Sequence, residues 1–293
     1  MIDESEARLK LFVSICPADP FWSYEVASRG AAAVYEEILG GSTYIKHKDL
    51  SWLQNDLLSL DTSKLLNEIS TAKAEFISPC DLDWPNGLDD LSAPPIGLLI
   101  RGNRSSLFDL TNSISIVGTR KPSQYGVEVT EEFAKGATSR TYAVVSGGAF
   151  GIDTASHIST LENSGITCSV LGGGFNQIYP KENAKLFSKI EEDGLLISEV
   201  MPNVSAKPYR FLIRNRLIAA LSKATLVIEA AYVSGSIRTA RDAAEIFRPV
   251  FAVPGPITSP LSDGCHRLIA ERVADIATSV DEILEVVTPL HLR

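Results

Sequence analysis

The sequence predicts an α/β protein in which a small helical domain precedes an extended, Rossmann-like, mainly parallel sheet. Three observations carry that expectation. From residue 113 onward, short runs rich in β-branched residues alternate with longer segments whose apolar residues recur every three or four positions. The short runs read as strands buried on both faces. Strict strand–helix alternation of this kind leads to βαβ units, with helices covering the sheet.

Residues 1–72 hold only short helical patterns, among them SRGAAAVYEEILGG and TSKLLNEISTAKAEF, and are expected to form the helical domain. Residues 73–293 are expected to form the second domain. Within residues 74–103 two strand candidates separated by Pro and Gly turns are expected to extend the main sheet. The runs SISIVG, TYAVVSGG, TCSVLGGG, GLLISE, ATLVIEA and PVFAVPG follow as strands. Between them GVEVTEEFAKGAT, DTASHISTLENSG, KENAKLFSKIEEDG, FLIRNRLIAALSK and SIRTARDAAEIF show helical spacing.

The 293 residues, 45% hydrophobic and 22% charged, have the balance of a globular protein. No apolar run reaches the roughly 18–20 residues that span a bilayer, so no membrane is expected. The opening MIDESEARLK is acidic and lacks a basic segment ahead of an apolar one, so a cytoplasmic location is expected. Cys16, Cys80, Cys168 and Cys265 are too scattered for a C-x-x-C pair. Formal net charge is −9, and most of it falls within residues 1–103. An anionic partner must therefore be held by a local basic site, because the field of the whole chain repels it.

Glycine or a small polar residue closes nearly every strand: Gly118-Thr119-Arg120, Ser146-Gly147-Gly148, Gly172-Gly173-Gly174, Ser234-Gly235-Ser236 and Gly255. One such turn serves mainly to let the chain turn tightly. Several on the carboxyl rim of a parallel sheet favour an anion-binding edge, where backbone N–H groups and helix N-termini face the ligand. No G-x-x-x-x-G-K-[ST] is present, and no G-x-G-x-x-G follows the first strand, so neither ATP nor NAD is expected and no cofactor is assigned. His47, His157, His266 and His291 stand in no catalytic or metal-ligating setting. Asp153, at the start of a helix, suits a cap or a dipole partner better than a base. Neither catalytic residue nor metal ligand is expected.

The segment SAKPYRFLIRNRLIAALSK, residues 205–223, gathers five Lys or Arg without a carboxylate. Pro208 is expected to hold off the helix until near Phe211, leaving Lys207 and Arg210 in the entering loop beside Tyr209. Arg214 then shares a face with Arg210, while Leu217, Ile218 and Leu221 supply the buried side. Cations that track phosphates, with rings on which bases stack, form the pattern of single-strand binding. A basic amphipathic helix solvated on one side is the plainer alternative.

Taken in order, IVGTR, VVSGGAFGID, VLGGGFNQIYPKEN, GLLISE, FLIRNRLIAALS, VIEA, SGSIRTARDAAE, VFAVPG and GCHRLI resemble the DprA/Smf family (DNA-processing protein A). The likeness covers roughly residues 75–285, and the helical domain resembles the family's SAM-like module loosely. The resemblance implies a non-enzymatic protein that binds and protects incoming single-stranded DNA and loads RecA recombinase during natural transformation. It gives Arg120, Lys181 and Lys207 phosphate contacts and Phe211 a stacking role. Gly118, Thr119, Ser146, Gly147, Gly148, Arg214, Asn215, Arg216, Gly235, Ser236 and Thr239 are expected around the same DNA site. It further implies a homodimer, with His266 and Leu268 as interface candidates. One departure stands out: Phe150 occupies the place of the family's usual Arg. An alternative from the same superfamily is a LOG-like protein that binds or hydrolyses nucleotides, for which Thr239 and Asp242 are the relevant residues. A scaffold that has lost DNA binding is a third.

Overall fold

The computed structural model describes residues 2–40 and 50–288, so His47 and His291 lie outside the described residues. Five helices come first: α1 (Glu4–Ser14), α2 (Pro20–Arg29), α3 (Ala31–Gly40), α4 (Ser51–Ser59) and α5 (Thr62–Thr71). Asp3, Asp19 and Asp61 cap three of them by accepting from first-turn N–H groups. The helical stretch expected from residue 28 onward is split at Gly30, which takes φ 84°. The Glu4 carboxylate then accepts from the N–H groups of Ala31 and Ala32, both at 2.8 Å.

The strands are β1 (Glu75–Ile77), β2 (Leu98–Gly102), β3 (Ser113–Val117), β4 (Ala143–Ser146), β5 (Thr167–Leu171), β6 (Leu195–Ser198), β7 (Ala224–Val227), β8 (Val250–Ala252) and β9 (Asp275–Ile276). They form one sheet in the order β1-β2-β6-β5-β4-β3-β7-β8-β9. The first two are antiparallel and extend the sheet from its β6 edge, as residues 74–103 lead one to expect. All other pairings are parallel. The remaining helices are α6 (Ser106–Asp109), α7 (Gln124–Ser139), α8 (Ile152–Glu162), α9 (Ala184–Asp193), α10 (Pro208–Ala220), α11 (Gly235–Glu245), α12 (Asp263–Ala270) and α13 (Val280–Val287).

Strands β3 to β8 are buried along their whole length, and successive residues serve opposite faces. Ala143 and Val145 join the cluster that holds Leu217 and Ile218 of α10, Ala240 of α11 and Leu268 of α12. Val144 joins Phe133 and Ala137 of α7 and Ile283 of α13 on the other face. Each fully buried Val, Leu, Ile or Phe among them contributes about 1.5–3 kcal/mol, so a one-residue slip would forfeit both faces at once. The buried side chains of the described N-terminal helices are continuous with those of the sheet: Leu9, Leu11, Leu57 and Ile69 cluster with Leu99, Leu171, Phe187 and Leu196.

From β3 the chain steps through β4 and β5 to β6; α10 then returns it to β7, on the other side of β3. Loops leaving the carboxyl ends of β3 and β7 therefore diverge, which opens the crevice typical of a topological switch point. Helix α10 starts at Pro208 rather than near Phe211. Proline is suited to the first helical position, where its missing N–H has no helical partner to lose. Lys207 is thereby the N-cap, and Tyr209 and Arg210 belong to the first turn.

Candidate nucleic-acid interface

A cleft of about 670 Å³ lies at this switch point. The β3 turn lines it with Gly118, Thr119 and Arg120; α10 contributes Pro208, Phe211, Arg214 and Asn215; the α11 end adds Ser234, Gly235, Ser236 and Thr239. Ala149, Asp153 and Tyr179 complete the near wall.

Phe211 is the centre of the arrangement. The guanidinium carbons of Arg120 and Arg214 each lie 5.9 Å from its ring centroid, and the Tyr179 ring is 5.5 Å away at 54°. Arg120 is an exposed lining residue, whereas Arg214 is buried. Arg214 Nη1 donates to Gly147 O at 2.8 Å and to Val170 O. Burial brings its pKa down to about 10, with Asp153 opposing and Arg120 adding to the shift, so it stays charged at neutral pH. Asp153 lies beside it in the first turn of α8, Oδ2 accepting from Ala149 N at 3.3 Å. Burial pushes that carboxyl up to about 6 against the pull of Arg214, two backbone N–H groups and Arg120.

The two rim lysines are exposed. Lys207 lies between Ala206 and Pro208, both of which line the cleft, and Lys181 follows Tyr179 by two residues in the short turn Lys181–Asn183. Thr119 is fixed by its N–H on Glu229 O at 2.7 Å. Asn215 Nδ2 donates to Gly235 O at 3.1 Å and ties α10 to the start of α11. A Cβ at Gly235 would meet nothing within 4 Å, so that turn is open to a ligand.

Other expected residues are withdrawn. Ser146 is fully buried with Oγ on Ile116 O at 2.7 Å, and Gly147 and Gly148 are buried behind the wall. A Cβ at Gly147 would stand 2.5 Å from the Arg214 guanidinium, and one at Gly172 would stand 2.6 Å from the Phe211 ring. These glycines make room for the site's own side chains rather than for an anion. Arg216 is also buried, its Nη2 on Glu199 Oε1 at 2.6 Å, and it takes no part in lining the cleft. Arg210 and Arg214 share a face as expected, both lining a small cavity beside Pro17, but Arg210 does not reach the cleft. Leu268 is fully buried because α12 turns it into the core with Cys265, so it cannot meet a second copy directly. His266 is half-buried, with Nε2 3.0 Å from Gly255 O. Asp242 is held by Arg238 Nε at 2.6 Å and lies outside the cleft lining. His157 is buried and kept neutral, burial lowering it to about 3. The four cysteines are free, and burial pushes Cys265 up to about 12. Among the described residues no cluster suits a metal ion, and no helix is long and apolar enough to cross a membrane.

Tyr179 is a wall residue that sequence reasoning misses; its signal is its place in QIYPKEN, two positions before Lys181. Leu212, inside FLIRNRLIAALS, and Val233 also line the cleft and are not among the expected site residues.

A sequence model of the family described as DNA recombination-mediator protein A matches residues 75–288. The DNA processing protein DprA of Streptococcus pneumoniae is 39% identical over 242 residues, covering 80% of this chain and 84% of that protein. A putative DNA processing protein DprA of Mycobacterium tuberculosis is 45% identical over 223 residues, which are 72% of this chain and 57% of the relative's length. The chain thus spans little more than half of that relative. The X-ray structure of the S. pneumoniae protein superposes with a TM-score of 0.84 at 32% identity, covering 97% of this chain and 98% of that one. The DNA processing protein A of Helicobacter pylori, solved for its single-stranded DNA binding mode, superposes with a TM-score of 0.65 at 27% identity over 73% of this chain and 95% of that one.

Proposed function

This chain belongs to the DNA recombination-mediator protein A family, and from that premise we propose that it binds single-stranded DNA across the switch-point cleft, shields the strand and hands it to the RecA recombinase. One observation carries the proposal: an exposed arginine lines a ring-walled cleft, and two exposed lysines stand within two residues of its lining, on a chain whose net charge is −9. A net negative chain disfavours a polyanion in general, so the strand is held where exposed cations meet the cleft.

Arg120, Lys181 and Lys207 take successive phosphates in this scheme. Phe211, steadied by Tyr179 and by the guanidinium groups on either side, offers its remaining surface to a base. Arg214 contributes field from beneath without leaving its carbonyl partners. The single-stranded DNA binding mode described for the H. pylori protein supports this assignment. The family's description as a recombination mediator supports the transfer to RecA. Self-association through the α12 side, with His266 at the contact and Leu268 behind it, completes the proposal; light scattering of His266→Ala against the parent chain tests that part.

Three free cations predict a shallow salt dependence. With about 0.7 counterions released per neutralised phosphate of a single strand, log K should fall against log salt with a slope of about −2. Fluorescence anisotropy with oligo-dT at several salt concentrations measures it. Arg120→Ala should weaken binding and flatten the slope by about 0.7. Absence of binding at low salt, or an unchanged slope in that variant, would overturn the assignment. RecA filament assembly on the bound strand, followed with and without the protein, tests the transfer.

A further inference from the structure

Phe150 is 39% exposed in the turn between β4 and α8. Among the described residues no ring or cation packs on it. Gly148 and Gly151, at φ 67° and 80°, flank Ala149-Phe150 and turn the pair outward. The turn is nevertheless fixed on both sides. Gly151 packs on the Thr119 and Arg120 backbone so closely that a Cβ would clash with it, and Ile152 N donates to Thr119 O at 3.2 Å. From the other side Asn183, in the turn that begins with Lys181, donates through Nδ2 to Gly148 O at 3.1 Å and to Thr154 Oγ1 at 2.8 Å. Thr154 Oγ1 in turn donates to Ala149 O at 2.7 Å. An exposed ring is thus held on a rigid bridge between the turns that carry two exposed cations, with its neighbour Ala149 lining the cleft.

We propose that Phe150 is a base-stacking ring on the path of the bound strand, covering one base while the flanking phosphates meet Arg120 and Lys181. This rests on the strand binding proposed above and adds a contact to it. A phenyl face accepts any base, because every base presents a π-surface, and it neutralises no phosphate. Its contribution is therefore sequence-tolerant and independent of salt, unlike that of the cations on either side.

Anisotropy titrations with oligo-dT and with an abasic strand of equal length separate the cases. Phe150→Ala should weaken oligo-dT binding about tenfold at every salt concentration, leaving the salt slope unchanged. Phe150→Trp should restore the affinity. On the abasic strand the Ala variant and the parent chain should bind alike. Because the ring is exposed, thermal melting of Phe150→Ala should match the parent and exclude misfolding as the cause. Equal oligo-dT affinity in the Ala variant, or an equal loss on the abasic strand, would overturn the stacking role. Failure of the parent chain itself to bind oligo-dT at low salt is a different result, and it would remove the strand-binding function on which the role depends.

Discussion

Asp153 opposes the proposed task of the cleft it lines, since a carboxylate would repel the phosphates assigned to Arg120 and favoured by Arg214. Burial raises its pKa from about 3.8 in the unfolded chain to about 6. Between those values the folded state binds more protons than the unfolded one, so its contribution to stability falls as pH rises through this window and is level above it. Strand binding should follow the same direction. A phosphate nearby favours the neutral acid further, and moving its titration upward by one pH unit corresponds to about tenfold in affinity. Oligo-dT affinity is therefore expected to rise as pH falls from about 7.5 to 5.5. His157, held neutral by burial, does not titrate in that range. Asp153→Asn should bind more tightly at pH 7.5 and lose the pH dependence; a variant with the parent's profile would show that another group is responsible.

Helix α10 separates two kinds of arginine that look alike in the amino-acid order. Arg216 and Glu199 form a buried pair, each less than a tenth exposed, and Arg216 Nε and Nη1 have no further partner. Burial raises the Glu199 pKa despite the attraction of Arg216, so the carboxylate depends on the cation beside it. Arg216→Ala should cost about 3–5 kcal/mol in urea unfolding, because it strands a buried charge, whereas Arg216→Met combined with Glu199→Leu should be close to neutral. The salt slope of that double variant for oligo-dT should equal the parent's; a slope flatter by about 0.7 would place Arg216 on a phosphate instead. The concentration of cations in residues 205–223 is legible in the sequence, because charge density is local. Their separation is not. Arg214 finds Gly147 O 67 residues away and Arg216 finds Glu199 17 residues away, and only the folded chain says which face meets which partner. The strands are legible for the opposite reason: burial on two faces leaves short uncharged runs rich in β-branched residues, and those survive in the one-dimensional order. The two-residue β9 demands no such run and leaves no trace. In the same way SGG at 146–148 marks a close approach without saying whether a ligand or the chain's own Arg214 and Phe187 make it.

At the scale of the whole molecule, the change of pattern near residue 72 marks a change of element, from α5 to β1, but not a gap in the packing. Phe12 of α1 meets Phe76 of β1 with ring centroids 5.4 Å apart, and Arg8 Nη1 donates to Ile96 O at 3.2 Å across the same seam. Phe187, fully buried, shares a cluster with Leu9 and Leu11 of α1 and with Leu99, Leu171 and Leu196 of the sheet. Two separately folding domains would unfold at two midpoints; a shared core predicts one cooperative transition. Trp22 is buried among the N-terminal helices and Trp84 beneath the sheet, so each reports its own side of the seam. In variants that keep only one of these two, the remaining tryptophans replaced by Phe, urea midpoints followed by fluorescence should coincide. Phe187→Ala, at a cost of about 3–5 kcal/mol, should then lower both midpoints together with no change in slope. A shift seen by Trp84 alone would mean that the helices of residues 1–72 stand free of the sheet.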